Sequence, residues 1–567
     1  MKNTSRLYRF HPNEINHSHG REKGLALTGV IVFAFVASLF TAAVLQSLSV
    51  QSRLVQDDYN YTRALYLAES GLNRVSEAVW IGYRNANPLP SARINWLEAN
   101  YQNFEETDAS VGQEGDTYTV TARRIMLTGN TDERYVVFEA TGNAAGGETG
   151  LTDRTITRVV RYGHDQSSIF DYTYFLNNFG WFWGGTITAN GEVRANANFS
   201  LKYNPLVNGD IYASVNPDVG AAGTIDDQQG NGYRWWDLTQ YRATAEDQYR
   251  PTQPEYKYGY DGDSEQFEYE DILEMPYLGD FARFEELAVQ KNGTLSTADV
   301  NIVHSTGGPI FLFGTAANPI IIDGPVAIDG DVAIAGYIQG QGTIYTDRNV
   351  HIIGNIVYTD PPIYDHSEGA DPAAVADHNL NADFLGLAAR GNIILGDVTN
   401  VSDWYNKLKN YLKPPFTSPY TDEDGSTHSG DYTEVDGQKL DGSNRKRYES
   451  TWDDATFANM VQQAIAEMNM PNHRIGQIDA LAYTNHIYTG RAEKTDFNGA
   501  VMSRDEAILY NNLVNLNYDY RAKAEGEFFI DIDLPKSANA EPFVWLEGDY
   551  EMWESKLDLL DAGLQGS

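Results

Sequence analysis

Cysteine is absent from the 567 residues. The chain therefore has no disulfide, no thiolate metal site and no cysteine nucleophile, and its stability rests on packing, hydrogen bonds or bound ions. Positive charge is scarce: 41 Lys and Arg stand against 79 Asp and Glu, a formal net charge of −38. Such a chain repels phosphate backbones and anionic headgroups, which predicts no nucleic-acid partner. Also missing are a Gly-x-Ser-x-Gly elbow, a Walker loop and a His-Glu-x-x-His pair, the signatures of common nucleophilic, nucleotide and zinc-hydrolase chemistries. What is present suits several packed units: the hydrophobic fraction is 42%, and the length exceeds one ordinary core. The 50 Gly and 36 Tyr, set among Asn, Asp and Thr, point to turn-rich β structure.

Charge is lacking altogether from Gly24 to Ser52. The apolar heart of this run includes Val30, Ile31, Val32, Phe33, Phe35, Leu39 and Phe40 and continues to Leu45, enough for a helix that crosses a bilayer. Lys2, Arg6, Arg9, Arg21 and Lys23 precede it, and Asp57 and Asp58 follow. The positive-inside rule then puts the amino terminus in the cytoplasm and the bulk of the chain outside, as a single-pass inner-membrane protein with a periplasmic or extracellular body. The run is too long for the apolar region of a secretory signal peptide, and its pattern passes into a helix. Tyr61, Leu65, Ala68, Leu72, Val75 and Val79 form a 4-3-4-3-4 stripe that needs cover from a globular head. One helix from about Leu25 to about Trp80 would measure about 85 Å.

Arg21-Glu22-Lys23-Gly24-Leu25-Ala26-Leu27 resembles a type IV prepilin cleavage site, where a prepilin peptidase cuts between Gly24 and Leu25 at the cytoplasmic face. With Gln56 to Leu72, which contains Ala68-Glu69-Ser70, the first 80 residues or so resemble the PilX-like minor pilins. The resemblance implies a leader over residues 1–24, a transmembrane and amphipathic helix over 25–82 and a small pilin-like sheet laid on that helix. As partners it implies the peptidase, membrane lipid, and other pilins or pseudopilins met through the helix. Major pilins carry a glutamate at the fifth mature residue, and this chain has Gly29 there. A missing acid argues against repetitive stacking along a filament and fits a minor, priming or tip subunit, as in PilX-like pilins and K-type pseudopilins.

Beyond the helix the predicted fold class is α+β, mostly β. Residues 117–125, 135–143 and 155–162 alternate apolar and polar side chains between turn residues, which predicts a small antiparallel sheet within 83–164. Asn143 to Gly150 reads as a flexible hairpin tip. A repeat then appears: Ile320, Val326, Val332, Ile338, Ile344, Val350 and Ile356 recur every six residues, with Ile322, Ile328, Ile334 and Ile352 two places on. Asp323-Gly324 and Asp329-Gly330 supply corners. Short strands turning on such corners predict a parallel β-helix over 165–530, with insertions near 233–299 and 402–485. Weaker strand-and-glycine text at 185–199, 389–396 and 498–503 suggests further rungs, and Leu516 to Tyr520 is expected to close the coil. The acidic tail 531–567 is expected to cap an open end.

Chemistry is sparse. His304 and His351 stand among β-type residues and read as solvated or core histidines rather than metal ligands. Asp323, Asp329 and Asp331 could be compared with the paired acids of a coil-type polysaccharide-degrading enzyme, but their place beside glycines reads as corner residues. No cofactor is predicted. Asp261 and Asp263 with Glu265, and Asp422 and Asp424 with Asp431, are the candidate Ca²⁺ loops, though neither has complete EF-hand spacing. The expected function is a non-enzymatic minor pilin-like component of a type IV pilus or related pseudopilus, with a role in assembly, at the tip or in adhesion to a surface glycan or a host or abiotic surface. The alternative is a membrane-anchored envelope β-helix protein that binds glycans or self-assembles outside any pilus machinery; a glycan-active enzyme comes third.

Overall fold

The structure is a computed structural model that describes residues 23–548, except 229–264, nearly all of 397–474, and short loop stretches such as 128–132, 146–152 and 524–532. It opens with one 63-residue helix, α1 (Lys23–Asn85), and a short second helix, α2 (Pro90–Tyr101), that begins with proline at its first turn. Four strands follow: β1 (Phe104–Asp108), β2 (Thr117–Leu127), β3 (Arg134–Asn143) and β4 (Asp153–Gln166), paired antiparallel in that order. The three strands expected from alternation are β2, β3 and β4.

The core of this unit lies between the sheet and the distal half of α1. Ala68, Leu72, Val75, Val79 and Tyr83 bury against Val120, Val136, Phe138, Ile156, Val160 and Tyr162, and α2 closes one side with Ile94 and Leu97. Tyr61, expected in the stripe, is instead exposed and lies under the Arg154 guanidinium, 3.5 Å from ring centroid to Cζ. Ala64 and Leu67 take the buried face at that level, packed on Ala144. Of the expected flexible tip, Asn143 ends β3 exposed, Ala144 is packed and Arg63 reaches the Ala145 carbonyl; residues 146–150 lie outside the described set.

A fifth strand, Lys536–Glu547, runs antiparallel along β4 and completes the sheet. The stretch expected to cap an open end is therefore, in part, a sheet strand. Its acidic composition hid the alternation of Ala538 and Ala540, which face the core. Everything from 167 to 535 is consequently inserted between two neighbouring strands of one small sheet.

That insertion contains a stack of parallel strands. Every member of the six-residue repeat from Ile320 to Ile356 is buried in one continuous core with Ile322, Ile328, Ile334 and Ile352. Ile320 pairs with Ile338, Val326 with Ile344 and Val332 with Val350, eighteen residues on in each case, so three hexads separate one layer from the next. Gly324, Gly330 and Gly336, again six apart, all take positive φ (71°, 152° and 102°), a conformation that glycine adopts without a Cβ penalty. One column of parallel pairs runs His304, Ala327, Tyr345, Ala388, Tyr483, Met502, Phe175, Arg194, Tyr212, Phe267.

The order in that column differs from the chain order. The strands within 174–216 and Gln266–Glu270, first in sequence, are stacked after residue 502, at the far side of the last carboxy-terminal layer. The strand Val514–Tyr518 pairs with both Thr495–Ser503 and Ile187–Asn190, so it sits inside the stack and does not close it. Two boundaries also shift: Gln477–Thr484 and Gln266–Glu270 are stack strands, although both fell within the expected insertions.

Candidate functional site

The candidate site is α1 and what it presents on each half. From Leu27 to Val55 no side chain is buried, and the segment is long and apolar enough to cross a membrane. Val30, Ile31, Val32, Phe33, Phe35, Leu39 and Phe40 are all more than half exposed on an otherwise folded protein. Two hydroxyls near its middle are satisfied within the helix: Ser38 donates to the Ala34 carbonyl at 2.7 Å and Thr41 to Ala37 at 2.8 Å. Gly24 and Leu25 fall in the first turn of α1. At Gly29 no atom of another element lies within 4 Å of where a side chain would begin, so the helix surface is open there.

The distal half is fixed to the sheet by polar contacts as well as by its core. Arg63 pairs with the buried Asp116 at 3.1 Å, and Asn73 accepts from Arg158 at 3.1 Å. Tyr83 packs edge-on against Tyr162, ring centroids 5.3 Å apart. Strand β4 thus runs alongside α1, with Arg154 beside Tyr61 and Tyr162 beside Tyr83. Its last residue, Gln166, lies at the end of the unit away from the bare apolar segment, and there the chain passes into the stack. Arg93 of α2 locks the passage: buried, it bonds the Arg84 carbonyl at 2.7 Å and Glu274 at 2.5 Å, while Gln166 donates to the Ala522 carbonyl at 2.9 Å. Burial raises the Glu274 pKa even against the neighbouring Arg93.

One outer face of the stack is itself covered. Tyr345, Tyr483, Met502 and Phe175 bury against Phe170, Phe281, Phe284 and Leu278 of the flanking segments. The tyrosine hydroxyls donate to carbonyls of that cover, Tyr483 to Pro276 and Tyr518 to Phe170, both at 2.6 Å, and Tyr345 to Asp533. Arg521 does the same for the excursion around the short helix Pro372–Asn379: fully buried, it pairs with Asp519 at 2.7 Å and donates to the carbonyls of Asn379, Ala382 and Asp383 at 2.8–3.0 Å. Asp519 falls in the stretch expected to close the coil, but nothing in the sequence pairs it with Arg521, since their i, i+2 spacing at a short 3-10 turn carries no period.

The other sequence candidates separate. His351 is fully buried inside a strand, 3.9 Å from Asp331, and burial pushes its pKa down to about 4. His304 lies in the strand His304–Thr306. Asp331 is a buried corner residue whose Oδ1 accepts from the Asn349 backbone and side-chain nitrogens, both at 2.9 Å, while Asp323 is exposed and Asp329 half-buried beside successive corner glycines. Asp261, Asp263, Asp422, Asp424 and Asp431 lie outside the described residues; the Glu265 backbone N–H donates to Asp210 at 3.0 Å. Among the described residues no three His, Asp or Glu side chains gather as metal ligands.

No family profile and no curated protein matches the chain. Among solved structures it is similar to the competence-associated pilin ComZ from Thermus thermophilus, at 12% identity, covering 86% of this chain and 98% of that one with a TM-score of 0.25. So low a score carries no weight on fold or function.

Proposed function

We propose that this chain is a non-enzymatic, PilX-like minor pilin component of a type IV pilus or related pseudopilus, cut after Gly24, inserted in the inner membrane with its amino terminus inside, and placed at or near a tip. The observation that carries the reading is the division of α1 into a bare apolar half and a half seated on a small antiparallel sheet, behind the Arg21 to Leu27 sequence. The bare half meets lipid before assembly and neighbouring pilin helices after it. The open place at Gly29 supplies no charge for the next subunit's amino terminus, which suits a terminal subunit.

The parallel stack winds as a β-helix, supported by layers eighteen or nineteen residues apart and positive-φ glycines at its corners. The polypeptide enters it beside Tyr83, 28 residues beyond Val55 on α1 (83 − 55), or about 42 Å of helix. It is thereby held away from the membrane, where an adhesive or spacer surface is useful and where the body of a subunit stacked above would collide. Mass spectrometry of the mature chain from cells with a prepilin peptidase tests the reading. An amino terminus at Leu25, and recovery with sheared filaments, is the expected result. Residues 1–24 retained on a protein that stays in the membrane fraction would favour the anchored envelope protein instead.

A further inference from the structure

Four asparagines and one aspartate form a single file along the stack and cross the place where its two ends of sequence meet. Asp479, Asn498, Asn517, Asn190 and Asn208 occupy successive layers in direct register. Asn208 Nδ2 donates to Asn190 Oδ1 at 2.8 Å, Asn190 to Asn517 at 2.7 Å, Asn517 to Asn498 at 2.8 Å and Asn498 to Asp479 at 2.7 Å. Every amide donates in the same direction. A carboxylate can only accept, so Asp479 fixes the polarity of the whole file. It also accepts from Gln477 Nε2 of its own strand at 2.9 Å and from the Tyr358 backbone at 2.8 Å, which ties the file to the layer below. At the other end Asn208 Oδ1 is buried without a partner among the described residues, as the head of a one-way file is when no further donor is laid on it.

The link between Asn190 and Asn517 joins residues 327 apart in sequence, and the backbone pairs beside it are few: Val501 to Ser503 with Tyr174 to Leu176, and Val514 to Asn517 with Ile187 to Asn190. Gly191 and Gly499, each following a file asparagine, take φ of +137°, and at Gly191 a side chain would press on Tyr518. Glycine there lets the layers close on one another while the amides stay aligned.

We propose that this file splices the amino-terminal arm, residues 174–216, onto a stack already formed by the strands of 304–395 and 477–518, with Asp479 setting its direction. The arm is made first but its seat is made last, so it docks as the final step and is the part of the stack that detaches most readily. On its release the edge of Thr495–Ser503 and Val514–Tyr518 is left open.

Hydrogen exchange on the full-length protein in detergent micelles tests this, with residues 320–346 as the control for a folded stack. Asn498→Asp sets two carboxylates face to face; protection should fall by about tenfold or more not only around 477–518 but at 174–195. Asp479→Asn combined with Asn498→Asp moves the terminal acceptor one layer along and should restore the arm. Asn190→Ala cuts the file at the splice and should release 174–195 while 477–498 stays protected. Full protection of 174–195 in Asn190→Ala, or a double variant no better than Asn498→Asp alone, overturns the proposal. Should Asn498→Asp also expose 320–346, the Asn190→Ala result decides.

Discussion

The helix–sheet unit and the parallel stack solve the same problem, burying apolar faces without cysteine, in opposite ways. In the first, β1 to β4 pair with their sequence neighbours through antiparallel turns, and only the last strand, Lys536–Glu547, arrives from far away. In the second, several layers follow at eighteen or nineteen residues, as from Ile320 to Ile338 and from Tyr483 to Met502, and elsewhere partners jump, as from Tyr345 to Ala388, from Ala388 to Tyr483 and from Met502 back to Phe175. Local pairing makes the first unit quick to form and tolerant; the stack depends on a few buried polar ties that hold distant segments in place. Damage should therefore be dearer in the stack's ties than in the helix–sheet packing.

The largest effect is expected at Asp519. Replacing it with alanine leaves the Arg521 guanidinium buried with backbone carbonyls alone, and removing one partner of such a pair costs about 3–5 kcal/mol. Denaturant unfolding followed by hydrogen exchange should show the 360–389 layers and 514–522 opening first, with β2 to β4 still protected. Uniform loss across both regions would mean that the two units are one cooperative body and that the contrast drawn above is wrong.

His351 sharpens the comparison through pH. Burial lowers its pKa from 6.5 to about 4, with Arg348 adding to the shift and Asp331 opposing it. The unfolded chain thus takes up a proton between about pH 6.5 and 4 while the folded stack does not, so stability falls as pH falls through that window, by up to about 3 kcal/mol. His351→Gln should remove that part of the slope, read as the difference in denaturation midpoint of the stack between pH 7 and pH 4. An unchanged slope would place the proton elsewhere, with Glu274 and Asp479 excluded as its source because their raised values produce the opposite trend, a loss of stability as pH rises.

What the sequence made legible was period. The apolar run of α1, the alternation in β2 to β4 and the six-residue repeat each state which side chains turn inward, because that follows from local geometry. Partnership was not legible: nothing in Phe175 or Ala189 says that they stack on Met502 and Leu516, since any in-register β-branched or aromatic layer would serve. The asparagine file left a faint trace, Asn-Gly at 190, 208 and 498 and the nineteen-residue step from Asp479 to Asn498 to Asn517, but such pairs also mark ordinary turns. For α2 the trace was Pro90 followed by Ser91, Ala92 and Arg93; for the strand 536–547, Pro542 and the surrounding acids masked an edge strand with a bulge at that proline.

The smallest effect tests the tolerance claimed for the helix–sheet unit. At Gly142 in β3 a methyl group would run into the Ala64 carbonyl and lie 2.6 Å from the Ala68 nitrogen and 2.9 Å from Leu67 Cβ, so the sheet and α1 touch there backbone to backbone. Neither backbone can yield by a rotamer change, and Gly142→Ala must push the helix outward by a fraction of its contact distance, at about 1–3 kcal/mol. Because α1 is also held by Arg63 to Asp116 on one side and by the Tyr83 contacts on the other, the displacement should stay between them. Exchange should quicken at 136–142 and 64–72, with the stack layers 320–358 unchanged. A loss as large as that of Asp519→Ala would show that this single crossing, and not the spread of local pairs, holds the unit together.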